Sequence, residues 1–466
     1  MLGTFALFAV VALAVASGAA AFTRTMLLIA ALSIAWLVWV LPPAVTLTAA
    51  VVLSPLASNW LQLGIPGKLS PDRLLLVGGL GVMLVRGPGA RGLPDLKVRP
   101  THAVLGVLLV YASISAAAAG TLSQSAGFFR LFDAFGVLPF LVFFAAPSVF
   151  ESARSRAVLL AGLVGLGAYL GVTALFEATK LNALVFPRFI TAFTAGDSSG
   201  RAYGIFLEPV SNGAGLFDCG VAAAVALVSW RHPWARAFAA VTAMLCAAGT
   251  FFTLERSVWL GAAAAVIVTI VVTAVGARRA APGIAATAGL VATAAIVAGV
   301  ALWFAPGLAH EATQRANDQG TVYDRRNLAT AAENMIEARP LFGFGWSTFE
   351  QKSLDYFQQS PDYPLNPNLA FTATNQGTFS VHNEFLDYAV TLGLVGTAIW
   401  LLGLVLAVGG AFHARTTPDL ARWRFALLPI IVFYLVIENA VPPALFPNLL
   451  LWLWLGVVWA GYVRDQ

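Results

Sequence analysis

Charge is what this sequence has least of. Only 11% of its 466 residues are charged and 59% are hydrophobic, whereas a soluble domain carries about 25% charged residues. With a mean hydropathy of +0.81, no soluble fold could hide the apolar surface, so the solvent is lipid. Cysteine is nearly absent. Cys219 and Cys246 sit in apolar segments, which excludes a disulfide framework and offers no metal-ligand spacing. The alternating segments that build an outer-membrane barrel are missing. So are basic runs interleaved with aromatics, and the net charge of +5 therefore points to loop asymmetry across a membrane and not to nucleic acid. The first positive charge, Arg24, comes after the first apolar run, so that run is expected to be a retained helix and not a cleaved leader.

What is present is a series of long apolar runs, and 42 Gly and 24 Pro are compatible with membrane helices. Spans are expected at 2–21, 25–41, 72–85, 101–119, 131–149, 156–176, 209–230, 234–252, 257–275, 283–304, 384–409, 423–437 and 444–462. The run 44–58 follows Pro42-Pro43 and is short enough to be a half-span. This is an all-α, polytopic membrane protein with about 12–14 spans. Three regions follow: helices with short loops over 1–304, a long polar loop over 305–383, and closing helices over 384–466.

The basic residues fall in alternate loops: Arg86, Arg91, Lys97 and Arg99; Arg154 and Arg156; Arg231 and Arg236; Arg278 and Arg279; Arg415, Arg422 and Arg424. All fit on one side, which is expected to be cytoplasmic, with both termini there if 44–58 crosses fully. The stretches 177–208 and 305–383 and the turn at Glu255-Arg256 then lie outside. Within the long loop, Leu328, Ala331, Ala332, Met335 and Ile336 recur at helical spacing. Asp324 can cap that amphipathic helix and Pro340 follows its end. The F-G-F-G after it reads as a turn; a lone G-x-G with no preceding strand is no nucleotide motif. No matched pair of broken helices of the kind seen in inverted-repeat transporters is visible.

The outer side is where arginine is disfavoured, yet four outer segments bring a cation or histidine to the membrane surface: Arg201, Arg256, Arg325-Arg326, and His382 followed by Asn383. An anionic ligand at the outer leaflet would explain them, because the guanidinium fork binds phosphate and stays charged. Plainer explanations stand beside this. Arg256 can snorkel, Arg201 can be an ordinary loop residue, one of Arg325 and Arg326 can be solvated, Asn383 is a good N-cap, and an interfacial histidine can be structural. Glu438 and Asn439 can be satisfied by neighbouring backbone.

Taken together, these segments resemble a known family. S-V-H-N-E-F-L-D-Y-A-V-T-L-G-L-V-G from Ser380 resembles the H-N-x-x-L…G-x-x-G signature of the O-antigen ligase and Wzy-type polymerase superfamily. The stretch from Arg325 through P-L-F-G-F-G-W-S-T-F, R-A-Y-G-I-F-L-E-P from Arg201, and L-E-R-S-V-W-L-G from Leu254 resemble its other segments in order and spacing. Three positions depart: Val210 stands where Asn often follows the proline, Glu255 where Ser often precedes the arginine, and Thr391 where Glu is frequent. The resemblance implies a C-type glycosyltransferase architecture. It also implies transfer of a glycan from an undecaprenyl-diphosphate carrier to a glycan, lipid or protein hydroxyl outside the cytoplasmic membrane, with no metal, cofactor or nucleotide sugar. On that basis Arg201, Arg256 and Arg325 are the expected diphosphate ligands and His382 the base or a phosphate ligand. Asn383, Arg326 and Glu208 are then substrate contacts. A transporter or flippase of the same lipid-linked glycan would also want outer arginines, but should carry charge through the midplane, where Asp218 is nearly the only candidate.

Overall fold

The computed structural model describes residues 29, 32–65, 70–86, 98–195, 200–276, 310, 313–314, 317, 320–358, 381–413, 417–439 and 445–463. The expected spans 2–21 and 283–304, most of 25–31, and the loop stretches 305–309 and 359–380 lie outside them. The described residues are helical, with no strand among them. Seven of their helices are long and apolar enough to cross a membrane. The chain is therefore a multi-pass membrane protein.

Contacts divide the chain into two compact units, Met1–Asp95 and Leu96–Gln466. In the first, α1 (Pro43–Leu53) packs on α2 (Pro71–Arg86). The 11 residues of α1 measure about 16 Å along the helix axis. Trp60 Nε1 donates to Asp72 Oδ1 at 2.6 Å, which satisfies a buried acid at the start of α2.

The second unit contains α3 (Pro100–Ala118), α4 (Val137–Val149), α5 (Ala153–Ala178), α6 (Pro209–Ser229), α7 (Pro233–Phe252) and α8 (Arg256–Gly276). These are followed by α9 (Gly320–Ala338), α10 (Phe349–Tyr356), α11 (Glu384–His413), α12 (Pro418–Ile437) and α13 (Leu445–Val463). Helices α5, α6 and α7 pack mutually, α12 packs on α6 and α8, and α13 lies against α4, α11 and α12. Helix α13 reads L-L-L-W-L-W-L-G-V-V-W-A and is buried all round, including Trp452, Trp454 and Trp459; apolarity on every face marks an interior helix. By contrast Val107, Val110 and Ile114 on α3 and Leu260, Ile267 and Val271 on α8 point outward at helical spacing, the stripe a lipid-facing helix presents.

Two expectations are corrected here. The span read as 131–149 starts earlier, because a short helix at Ser125–Phe129 and a π-helical turn at Arg130–Phe135 lead into α4. Arg130 and Asp133 hid this start; Arg130 is accommodated by an ion pair with Asp387 of α11 at 2.6 Å. The amphipathic helix begins at Gly320, a turn before the expected cap Asp324. Its face behaves as expected: Leu328, Ala332 and Met335 pack on Phe344, Phe349, Val381 and Val390.

The apolar pattern predicts one continuous span over 384–409. The 30 residues of α11 are broken at Gly393, which adopts φ 69°, ψ 179°. A break frees backbone groups that lipid cannot satisfy. The turn after α9 supplies the partners. Phe344 and Gly345 donate to Val390 and Thr391 carbonyls at 2.8 and 3.0 Å, and Leu394 and Val395 donate to Pro340 and Leu341 carbonyls at 2.8 and 3.2 Å. Tyr111 Oη donates to the Leu392 carbonyl at 2.7 Å. The F-G-F-G turn is thus inserted into α11, and Trp346 behind it anchors to Gly127 and Thr121.

Candidate active site

The ends of the second unit differ in kind. One carries Arg154, Arg156, Arg231, Arg236, Arg422 and Arg424 at the starts of α5, α7 and α12. There Arg156 pairs with Asp419 at 2.7 Å. At the other end α6, α8 and α11 begin and α5, α7 and α12 stop. Three helix N-termini therefore face this end, each with the partial positive charge of its unpaired amides.

The segment Arg201–Phe206 is held by backbone pins. Ala202 N donates to the Phe252 carbonyl at 2.9 Å, and Asn212 Nδ2 donates to the Ala202 carbonyl at 3.0 Å. The buried Glu177 carboxylate accepts from the Tyr203 and Gly204 amides. Leu207 then turns through φ 55°, Pro209 begins α6, and Glu208 caps it by accepting from the Val210 and Ser211 amides. Across from this, Leu254 turns at φ 51° and delivers Glu255 and Arg256 to the start of α8. His382 is the third non-glycine residue here with positive φ, at 50°. Asn383 follows it as N-cap: its Oδ1 accepts from Leu386 N at 3.0 Å. Such backbone conformations cost of order 1–3 kcal/mol each and cluster where function holds them.

Four of the residues singled out from the sequence come together. The guanidinium of Arg325, half-buried on α9, is held below its ordinary range, first by burial and then by Arg256, with Glu208 opposing. The imidazole of His382 is pushed down to about 4, first by burial and then by Arg325. Arg256, Arg325, Glu208 and His382 thus share one field, and His382 is uncharged at neutral pH. Asn383 adjoins them at the helix start, its Nδ2 donating to Asn439 Oδ1 at 3.3 Å. Arg326, the next residue along α9, is exposed at the rim.

Arg201 is differently engaged. Its Nη2 forms an ion pair with Glu255, its Nε donates to the Thr253 carbonyl at 3.4 Å, and it lies 5.6 Å over the Tyr203 ring. It is neither an ordinary loop residue nor a neighbour acting directly on Arg325.

Glu384, Arg130, Asp387 and Glu177 around the site are not among the sequence candidates. Glu384, buried at the first turn of α11, receives the hydroxyls of Tyr388 and Tyr434. Beside it lies Glu438, whose carboxyl is pushed well up by burial and then by the Glu384 carboxyl. This corrects the expectation that neighbouring backbone satisfies Glu438, although Asn439 does donate to the Leu435 carbonyl at 2.6 Å. Arg130 with Asp387, and Glu177 under Tyr203, complete the surroundings. Each is an ionisable residue in an apolar span, and that alone is a signal.

Residues 241–401 match the family model described as O-antigen ligase, which places this segment in the O-antigen ligase and polymerase superfamily. Glycan transfer is the general activity that accompanies this domain. No curated protein matches the chain. The matched segment contains Arg256, Arg325, Arg326, His382 and Asn383; Arg201 and Glu208 precede it.

Proposed function

We propose that this chain is a membrane glycosyltransferase that moves a glycan from undecaprenyl diphosphate to an acceptor hydroxyl at the outer face of the cytoplasmic membrane. The C-terminus lies on the cytoplasmic side in this reading, which follows the alternation of basic loops. One observation carries it: the half-buried guanidinium of Arg325 lies in the repulsive field of a second guanidinium, Arg256, which starts α8. Like charges so placed are costly, and a diphosphate lying between them removes the cost. The helix N-terminus of α8 acts in the same sense.

The donor's C1–oxygen bond breaks with its electron pair going to the phosphate. Arg256 and Arg325 meet that charge, the role a metal plays elsewhere, and loss of one such donor costs on the order of 10²–10³ in rate. The acceptor oxygen bonds to C1 from the opposite face, which inverts the anomeric configuration. Its proton passes to His382, a step that contributes about 10²–10⁴-fold. Arg325, after burial, helps to hold His382 low. An anion on Arg325 offsets that field, so donor binding raises the basicity of the imidazole. Asn383 keeps the imidazole at the helix start, and Glu208 and Arg326 contact the sugars.

Purified protein supplied with lipid-linked donor and acceptor tests this. His382→Ala and Arg325→Ala variants that insert normally should lose transfer by at least two orders of magnitude. Full transfer by either would end the proposal.

A further inference from the structure

We infer that Glu255 is a built-in counter-anion at this site: it holds Arg201 until the donor's phosphate takes its place, and so sets how tightly the donor binds. The inference rests on the reading that Arg256 and Arg325 take a phosphate group.

The geometry makes the pair deliberate. Arg201 reaches Glu255 only because Ala202 is pinned to the Phe252 carbonyl and because Leu254 turns through φ 51°. That turn presents a carboxylate and a guanidinium at consecutive positions, Glu255 toward Arg201 and Arg256 toward the field of Arg325. The pair is within reach of a ligand, since its side chains are 12% and 19% exposed.

Two carboxylates adjoin these guanidinium groups: Glu208 acts on Arg325 and Glu255 pairs with Arg201. The carboxylates are not equivalent. Glu208 is held by backbone amides at the start of α6, which do not move. Glu255 is held by a side chain, which can exchange partners. Phosphate oxygens are the stronger partner for a guanidinium fork. When they take Arg201, the Glu255 carboxylate is left beside the anion and repels it. Glu255 therefore weakens ground-state binding and favours release of the diphosphate product.

The magnitude follows from the exposure. A partly exposed ion pair contributes up to about 1 kcal/mol, so removing the competitor tightens anion binding about two- to fivefold.

The test uses full-length protein in detergent and inorganic pyrophosphate as the probe, with affinity measured for the parent, Glu255→Gln, Glu255→Asp, Arg201→Gln, Arg325→Gln and the Glu255→Gln/Arg201→Gln double variant. Glu255→Gln should bind about two- to fivefold tighter, and Glu255→Asp should stay near the parent. In the Arg201→Gln background Glu255→Gln should tighten binding less than in the parent, because only the carboxylate's repulsion of the anion is relieved and no guanidinium is released. In turnover, Glu255→Gln should lower KM for the lipid-linked donor.

If Arg325→Gln abolishes binding while Glu255→Gln leaves it unchanged or weaker, the inference falls and the site reading survives. The inference also falls if Glu255→Gln tightens binding equally with and without Arg201. If Arg325→Gln binds pyrophosphate as the parent does, the site reading itself is overturned. Should Glu255→Gln fold poorly, Glu255→Ser offers a second carboxylate-free side chain for the same comparison.

Discussion

Replacing Gly393 by alanine should disable the protein although the change adds only one methyl group. The added Cβ would lie 2.2 Å from the Leu341 carbonyl oxygen and 2.6 Å from Gly343 N. Both are backbone atoms with no rotamer to yield. The native φ 69°, ψ 179° is a conformation open essentially to glycine alone, and strain there costs about 1–3 kcal/mol. Relief requires withdrawing the 340–345 turn from the break in α11. Each backbone group then left unpaired away from water costs about 1–3 kcal/mol. Leaving two such groups unpaired brings the total to on the order of 3–9 kcal/mol. The same turn follows α9 directly, so its withdrawal also displaces Arg325. The control is Gly409→Ala in the same helix: its Cβ meets nothing within 4 Å, and alanine in a helix interior gains about 0.5–1 kcal/mol. Thermal unfolding followed by the fluorescence of the 13 tryptophans should fall clearly for Gly393→Ala and hold for Gly409→Ala, and glycan transfer should follow the same order. A Gly393→Ala protein that melts and turns over like the parent would refute the claim that the inserted turn positions the site.

Two further outcomes follow from the charges. With His382 at about 4, kcat/KM for the donor should show no imidazole limb between about pH 5.5 and 8; Arg325→Gln removes a cation, raises that value and should bring an acid limb into view. The depressed value also means that this group's contribution to stability is present above the unfolded imidazole value and is lost as pH falls toward 4, since the unfolded chain binds the proton first; a parent pH profile with a limb near 6.5 would contradict the assignment. Arg130→Met should destabilise by about 3–5 kcal/mol through the buried Asp387 it leaves behind, whereas Arg130→Met with Asp387→Leu should recover much of the loss; equal losses in the single and double variants, measured by thermal unfolding, would show that the pair is not the source.

The reach of sequence reading is visible in particular elements. The runs at 209–230 and 234–252 appear as Pro209–Ser229 and Pro233–Phe252, because hydropathy and proline at a helix start are local properties. The face of α9 was legible for the same reason. Arg130 was not, since a cation at the edge of an apolar run ends the pattern unless its partner is known, and Asp387 lies 257 positions away.

Composition alone determined the solvent, since scarce charge leaves lipid as the only place for so much apolar surface; periodicity determined the helices, and residue order placed Arg256 and His382 at helix starts. Tertiary structure decided which of those charges are engaged by partners and which act on one another. It also decided that the glycine of one motif is a break filled by the glycines of another. Nothing local separates Arg201 from Arg325. They differ because Glu255 meets one guanidinium and Arg256 faces the other, and electrostatic energy depends on distances that only folding sets.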